Sequence, residues 1–281
     1  MTTTGPTSAP TSPATDPDPD PDPDPATDPD RFLAGRTALV TGSSSGIGAA
    51  IATDLAAAGA HVVVSGRDVA RGTAVVERLR AAGGRADWVA ADLTASYAVL
   101  RRFAGEVTEV LGGGVDVLVH NAAVCPPVDT LGLTDEDLDT ALAVNVRAPH
   151  VLTAALAPGM LGRDGACIVV IGSWMAGVGH PFVGLYSATK AAEAQLARSW
   201  AAEFGPRGVR VNTVSPGPTR TPINDSDGDV IALMVAGTPA GRAGRPEEVA
   251  AAVTWLVSPA AAYLHGVDLP VDGGITATRP V

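Results

Sequence analysis

From Thr37 onward, short β-branched runs alternate with alanine-rich stretches of helical length. Residues 37–40, 61–64, 87–90, 115–119, 166–171, 209–214 and 267–271 read as strands, and most are apolar almost throughout. A strand with one wet face alternates polar and apolar residues, so near-continuous apolar runs imply strands covered on both faces, as in a parallel sheet. Parallel neighbours need crossover connections, and stretches such as 46–58 and 186–204 supply the helices. The pattern predicts an α/β fold, a single doubly wound parallel-sheet (Rossmann) domain.

Residues 1–30 break from that rhythm. Asp16, Asp18, Asp20, Asp22, Asp24, Asp28 and Asp30 alternate mostly with prolines, and no Lys or Arg accompanies them. Such a segment cannot bury a core, so a disordered tail is expected, followed by one domain over 31–281. These seven carboxylates account for most of the net charge of −11, which leaves the folded part only mildly acidic. No basic patch speaks for nucleic acid. Neither a basic leader followed by an apolar run nor a membrane-length apolar stretch is present, and a soluble, cytoplasmic protein is expected. Cys125 and Cys167 show no metal spacing and read as structural thiols.

The first strand runs directly into Thr41-Gly42-Ser43-Ser44-Ser45-Gly46-Ile47-Gly48 and then a helix. Glycines there permit a tight turn and close backbone approach to a pyrophosphate, while the helix start supplies free N–H donors. The spacing is G-x-x-x-G-x-G, and the strand before and helix after it point to a dinucleotide. About twenty residues on, where an acid would bind the ribose 2′-hydroxyl of NAD, the chain has Gly66 and Arg67. This favours NADP over NAD. Arg67 could also be a solvated side chain, and Asp68 beside it complicates the assignment. Asp92 and Leu93, after the third strand, fall where the adenine edge would lie.

Ligands of such folds bind at the carboxyl edge of the sheet. His120-Asn121-Ala122-Ala123 follows the fourth strand there; with no acid to orient it, His120 reads as packed or solvated. Thr134 and Asp137 resemble a capping box opening a helix that carries Asn145. Pro149, four residues later, lacks the N–H that would bond the Asn145 carbonyl, leaving either a free carbonyl for a water or a simple kink. Ser173 follows the fifth strand, placed to share a substrate oxygen or to cap a turn. Thirteen residues on, Tyr186 and Lys190 are spaced to share one face of a helix, where an ammonium would lower the phenol's ordinary pKa near 10. Pro216-Gly217-Pro218-Thr219-Arg220-Thr221 follows the sixth strand and suits a cofactor amide, and residues 223–240 break the strand rhythm as a lid would.

Together these pieces closely resemble the short-chain dehydrogenase/reductase family, from about residue 34 to 277. The match rests on Thr41-Gly42-x-x-x-Gly46-Ile47-Gly48, Asn121-Ala122, Asn145, Ser173, Tyr186-x-x-x-Lys190 and Pro216-Gly217-x-x-x-Thr221, in family order. Gly244-Arg245-Pro246-Glu247-Glu248-Val249 and Val271-Asp272-Gly273-Gly274 resemble the 3-oxoacyl carrier-protein reductases and related ketoreductases. The resemblance implies Tyr186 as proton donor to a carbonyl oxygen that Ser173 also holds. It implies that Lys190 binds the nicotinamide ribose and acidifies the tyrosine, and that Asn145 holds a relay water. Cofactor binding would fall to Gly42, Ser44, Ser45, Gly46, Ile47, Gly48, Arg67, Asp92, Leu93, Asn121, Ala122, Tyr186, Lys190, Pro216, Gly217, Thr219 and Thr221, with no metal.

His120, Ala123 and Ser45 depart from the family's usual residues, and the lack of a basic residue at Ser45 weakens the case for NADP. The expectation is an NADPH-dependent reductase of a hydrophobic ketone. An NAD-linked alcohol dehydrogenase on the same residues is the alternative, with a non-catalytic nucleotide sensor as a third reading. Trp174, Met175, His180, Phe182, Val124 and Cys125 could line an apolar pocket or belong to the core. Family members usually form homotetramers through paired long helices, and Ala191, Ala194 and Ala201 would allow close helix approach.

Overall fold

The computed structural model describes residues 1, 2, 5, 31–222, 224 and 228–278. The expected tail over 1–30 thus falls almost wholly outside the described residues. Among the described residues seven strands form one parallel sheet: β1 (Thr37–Val40), β2 (His61–Gly66), β3 (Arg85–Ala90), β4 (Val117–His120), β5 (Cys167–Ile171), β6 (Arg210–Pro216) and β7 (Asp268–Val271). Their order is β3-β2-β1-β4-β5-β6-β7, so the chain winds outward in both directions from the β1/β4 pair. That reversal opens a crevice at the carboxyl edge.

Among the described residues eight α-helices connect and cover the sheet: α1 (Gly46–Ala57), α2 (Val69–Ala81), α3 (Tyr97–Val110), α4 (Asp135–Leu142), α5 (Ala148–Met160), α6 (Gly184–Phe204), α7 (Gly228–Val235) and α8 (Pro246–Val257). The continuous apolar character of the strands follows from two cores. Leu39, Leu118, Ile168 and Val170 point to a core shared with α3, α5 and α6. Their neighbours Val40, Val119, Val169 and Ile171 point to the opposite core, with α1, α2 and α8.

β4 begins two residues later than the apolar run suggests, because Asp116 is drawn into a side-chain tie at the amino edge. Its buried carboxylate accepts from the Thr37 backbone N and Oγ1, each at 2.8 Å, and pairs with Arg163 Nη1 at 2.8 Å. Burial pushes this carboxyl up, but Arg163 and Thr37 outweigh it and hold it below its ordinary value of 3.8. Asp116→Ala should cost about 2–3 kcal/mol at neutral pH, since it strands the partners of a buried acceptor. The folded pKa is depressed, so this contribution is present above the unfolded value and is lost as pH falls through the folded one. Urea denaturation of both proteins should show the gap closing on acidification.

Thr134 caps α4 as expected: its Oγ1 accepts from Asp137 N at 3.1 Å and donates to Asp137 Oδ2 at 2.7 Å. The expected helix carrying Asn145 is, however, not continuous α-helix. Ala143–Arg147 forms a π turn, with Ala148 N bonded to the Ala143 carbonyl, before α5 resumes. The alanines proposed for helix pairing need correcting too. Ala194 and Ala201 on α6 are buried in the chain's own core, leaving them unavailable for contact with another subunit.

Candidate active site

A cleft of about 880 Å³ runs along the carboxyl edge, and every residue expected to bind a cofactor lines it. At its centre is the loop between β1 and α1. Gly42 and Gly46 adopt left-handed φ values of 65° and 55°. Gly48 is required for packing: a Cβ there would lie 2.4 Å from Asn121 Nδ2 and 2.5 Å from the Gly42 carbonyl. Asn121 braces the loop, its Nδ2 donating to the carbonyls of Thr41 (2.9 Å) and Gly42 (3.1 Å). Ser45 is the N-cap of α1, but its side chain makes no capping bond, and the first turn carries no acid. The first N–H groups of a helix lack intrahelical partners, so this end suits an anion such as a pyrophosphate.

At the end of β2, Gly66 gives way to Arg67, which lines the cleft. Asp68 is committed elsewhere. It caps α2 by accepting from Arg71 N at 3.0 Å, and its other oxygen lies 2.6 Å from Arg71 Nε. Arg71 also lines the cleft, so two arginines stand beside the end of β2. The sequence reading missed Arg71, although Asp68 and Arg71 lie at the i,i+3 spacing of a helix-start pair. Asp92 accepts from Thr94 N (2.9 Å) and Oγ1 (2.7 Å), bonds that hold its carboxyl below the ordinary value, with a smaller contribution from Arg67.

On the far side of the cleft, Gly217 packs directly on the chain after β7. A Cβ there would lie 2.6 Å from Asp272 Cα, which accounts for glycine at 217. Thr219 Oγ1 donates to the Gly217 carbonyl at 2.9 Å. Thr221 is held by Asn224 Oδ1, which accepts from its N (2.7 Å) and Oγ1 (3.2 Å), while Asn224 Nδ2 donates to the Thr219 carbonyl at 2.9 Å. Asn224 falls within the stretch expected to act as a lid. Residues 223 and 225–227 of the expected lid lie outside the described residues; α7 brings Val230, Ile231 and Met234 to the cleft.

Ser173, Tyr186 and Lys190 meet in the floor of this cleft. Ser173 follows β5 and caps a 3₁₀ turn, its Oγ accepting from Met175 N at 3.2 Å. Lys190 is fully buried; its Nζ donates to the Ile171 carbonyl at 2.8 Å and lies 5.9 Å from the Tyr186 ring centroid. Lys190 and Ser173 both draw the Tyr186 pKa down, but burial outweighs them and raises it above the ordinary 10. The expected net acidification is therefore not present in the protein alone. Lys190 has a partner the sequence reading passed over. Glu193 Oε2 lies 2.7 Å from Nζ, and Glu193 is itself 1% exposed. Burial pulls the lysine's pKa down, yet Glu193 more than compensates, and the ammonium persists.

Asn145 is placed differently from the other three. It is wholly buried and lies behind the cleft wall. Its Oδ1 accepts from Val124 N, and its Nδ2 donates to the Val124 carbonyl and to Thr189 Oγ1, all at 2.9 Å. Thr189 Oγ1 in turn donates to the Tyr186 carbonyl at 2.8 Å. Asn145 thus ties the segment after β4 to the helix that carries Tyr186. His120 is buried against Trp200, with Nε2 2.8 Å from Thr153 Oγ1. Burial, and then Lys190, push its pKa down to about 3, so the imidazole is neutral.

Val124, Cys125, Trp174 and Met175 line the cleft beside Tyr186, whereas His180 and Phe182 do not, and Phe182 is exposed. Cys125 is exposed there, which corrects its reading as a structural thiol; Cys167 is buried in the core, its thiol pushed up to about 11. Among the described residues no cluster could hold a metal ion, and no helix is long and apolar enough to cross a membrane.

Over residues 42–276 the chain matches the family model described as enoyl-(acyl carrier protein) reductase. It is 41% identical over 253 residues to cis-4-hydroxycyclohexanecarboxylate dehydrogenase from Sinomonas cyclohexanicum, covering 87% of this chain and 98% of that one. It is 35% identical over 244 residues to a 3-oxoacyl-[acyl-carrier-protein] reductase from Vibrio cholerae, covering 86% and 98%. A short-chain dehydrogenase from Burkholderia cenocepacia, solved in complex with NADP, superposes with a TM-score of 0.83 at 38% identity, covering 88% and 100%. The chain belongs to the short-chain dehydrogenase/reductase family, similar to the 3-oxoacyl carrier-protein reductases. It is an NAD(P)-dependent oxidoreductase acting on an alcohol/ketone pair.

Proposed function

We propose that this enzyme uses NADPH to reduce an uncharged, hydrophobic ketone to a secondary alcohol, and runs the reverse oxidation on the same residues. The observation that carries this reading is the convergence of Ser173, Tyr186 and Lys190 beneath an apolar wall of Val124, Trp174, Met175, Ile231 and Met234. When bound, the nicotinamide cofactor supplies the hydride. Tyr186 gives its phenolic proton to the carbonyl oxygen, and Ser173 hydrogen-bonds the same oxygen. Lys190 holds the nicotinamide ribose and supports the phenolate left behind. Asn145 keeps α6 in register and belongs to the relay that restores the proton. The α1 N-terminus takes the pyrophosphate; Arg67 and Arg71 take the 2′-phosphate; Asp92 and Leu93 flank the adenine; Thr219 and Thr221 face the carboxamide.

Among the described residues the wall beside Tyr186 offers a substrate no cationic side chain apart from Lys190, which supports a neutral substrate over a carboxylate. The Sinomonas relative is named for a hydroxycyclohexanecarboxylate, whose ring alcohol supports a cyclic carbon frame and whose carboxylate is the feature that the comparison below tests. We also read residues 31–281 as one domain of a cytoplasmic homotetramer, on the strength of family membership. Cofactor oxidation should be followed across matched cyclic ketones with and without a carboxylate. The neutral member should show at least about tenfold higher kcat/KM, as expected for an unpaired carboxylate in an apolar site. Preference for the acid would reject the neutral-substrate reading.

A further inference from the structure

We propose that Glu193 is a positioning residue of the catalytic set: its buried carboxylate holds the Lys190 ammonium in place and offsets the charge with which that ammonium acts on Tyr186. The inference rests on Tyr186 and Lys190 being the catalytic pair.

Glu193 lies three residues after Lys190 on α6, so the two side chains share a face of the helix. Both are about 1% exposed, and the separation is 2.7 Å. Among the described residues no other polar group bonds either Glu193 oxygen. A carboxylate in such a place is costly unless a cation compensates it, and among the described residues Lys190 is its sole partner. The lysine is thereby held from two directions, by the Ile171 carbonyl and by Glu193. One of its three N–H donors is taken by the Ile171 carbonyl, and the ammonium pairs with the Glu193 carboxylate, which leaves donor capacity for a ligand and Tyr186.

The surrounding charges support this assignment. On α6 itself the facing groups are Lys190 and Tyr186. His120, at the end of β4, is neutral, and Cys125 lies on the segment beyond it. Arg147 of the π turn is spent on the Thr94 and Ala95 carbonyls, and Arg210 of β6 on the carbonyls at the end of α8. The 3₁₀ turn Trp174–Gly177 carries no ionisable side chain, β5 contributes only the core thiol of Cys167, and the acids of α4 sit in its exposed first turns. Glu193 therefore acts on Tyr186 without a competing carboxylate close by. Its negative charge raises the tyrosine's pKa, opposing Lys190. Burial also pushes the Glu193 carboxyl up, to about 7, so the compensation strengthens as pH rises through neutrality.

The test reads the phenol directly and needs no substrate. The chain has three tyrosines, and Tyr97 and Tyr263 are 54% and 99% exposed, so subtracting the tyrosinate absorbance titration of Tyr186→Phe isolates Tyr186. In Glu193→Gln, the Tyr186 midpoint should fall by roughly half a unit to one unit, as expected for removal of one buried charge several ångströms away. Glu193→Asp, which keeps the charge, should stay close to the wild type. An unmoved midpoint in a folded Glu193→Gln would overturn the proposal. If that variant fails to fold, Glu193→Leu, which fills the same buried space without a charge, takes its place: the Tyr186 midpoint should fall by a similar amount, and no change would reject the role. Turnover by Tyr186→Phe, measured separately, would remove the catalytic reading without touching this titration.

Discussion

Tyr186→Phe should lose about 10² to 10⁴ in kcat while binding NADPH within a few-fold of the wild type. The substitution leaves the ring beside Lys190 and removes only the oxygen that gives up a proton. Lys190 keeps its bonds to the Ile171 carbonyl and Glu193, so the cofactor-facing wall is undisturbed. The pH dependence has a definite sign. Reduction needs the protonated phenol, and burial holds Tyr186 above its ordinary value, so reduction should be level through neutrality and fall only at alkaline pH. Alcohol oxidation needs the phenolate and should rise over the same range. Steady-state rates in both directions, with a fluorescence titration of NADPH, provide the check. Comparable turnover in the variant would show that the proton comes from elsewhere.

What could be read from the residues alone was governed by how local the physics is. The strands were legible because burial on two faces writes a continuous apolar run, and the glycine loop was legible because left-handed φ at Gly42 and Gly46 admits few side chains. The π turn at Asn145 was only half visible. Pro149 announced a missing donor, but an extra residue in a helical turn leaves no mark on composition. Arg71, Glu193 and Asn224 were missed for a common reason. Each acts by pairing with a residue already noticed, and the short i,i+3 spacings involved occur often by chance. The sign of the Tyr186 shift depended on a quantity no spacing encodes, the balance of burial against Lys190. Ala194 and Ala201 failed in the other direction: small residues suit a helix interface and a sheet-facing core equally, and the core claimed them.

Arg67→Ala should weaken NADPH by about 10- to 150-fold and barely change NADH. A guanidinium meeting a 2′-phosphate forms charge-assisted hydrogen bonds, and this range corresponds to losing one such interaction. Asp68, the residue that clouds the sequence reading, is removed from the argument by geometry. Its two oxygens are taken by the backbone and side chain of Arg71, which keeps the carboxylate from competing for a ribose hydroxyl. Arg71 therefore has two effects in the same direction: it adds positive charge at the cleft, and it restrains Asp68, an acid that would repel a phosphate. Arg71→Ala should accordingly weaken NADPH and, by releasing Asp68 to the ribose, tighten NADH. The double variant Arg67→Ala/Arg71→Ala should then bind NADH at least as well as NADPH. Fluorescence titration of all four proteins with both cofactors decides it without a substrate. Equal losses for NADPH and NADH in Arg67→Ala would mark that residue as structural, and a wild type that prefers NADH would place the 2′-phosphate reading in error at its root.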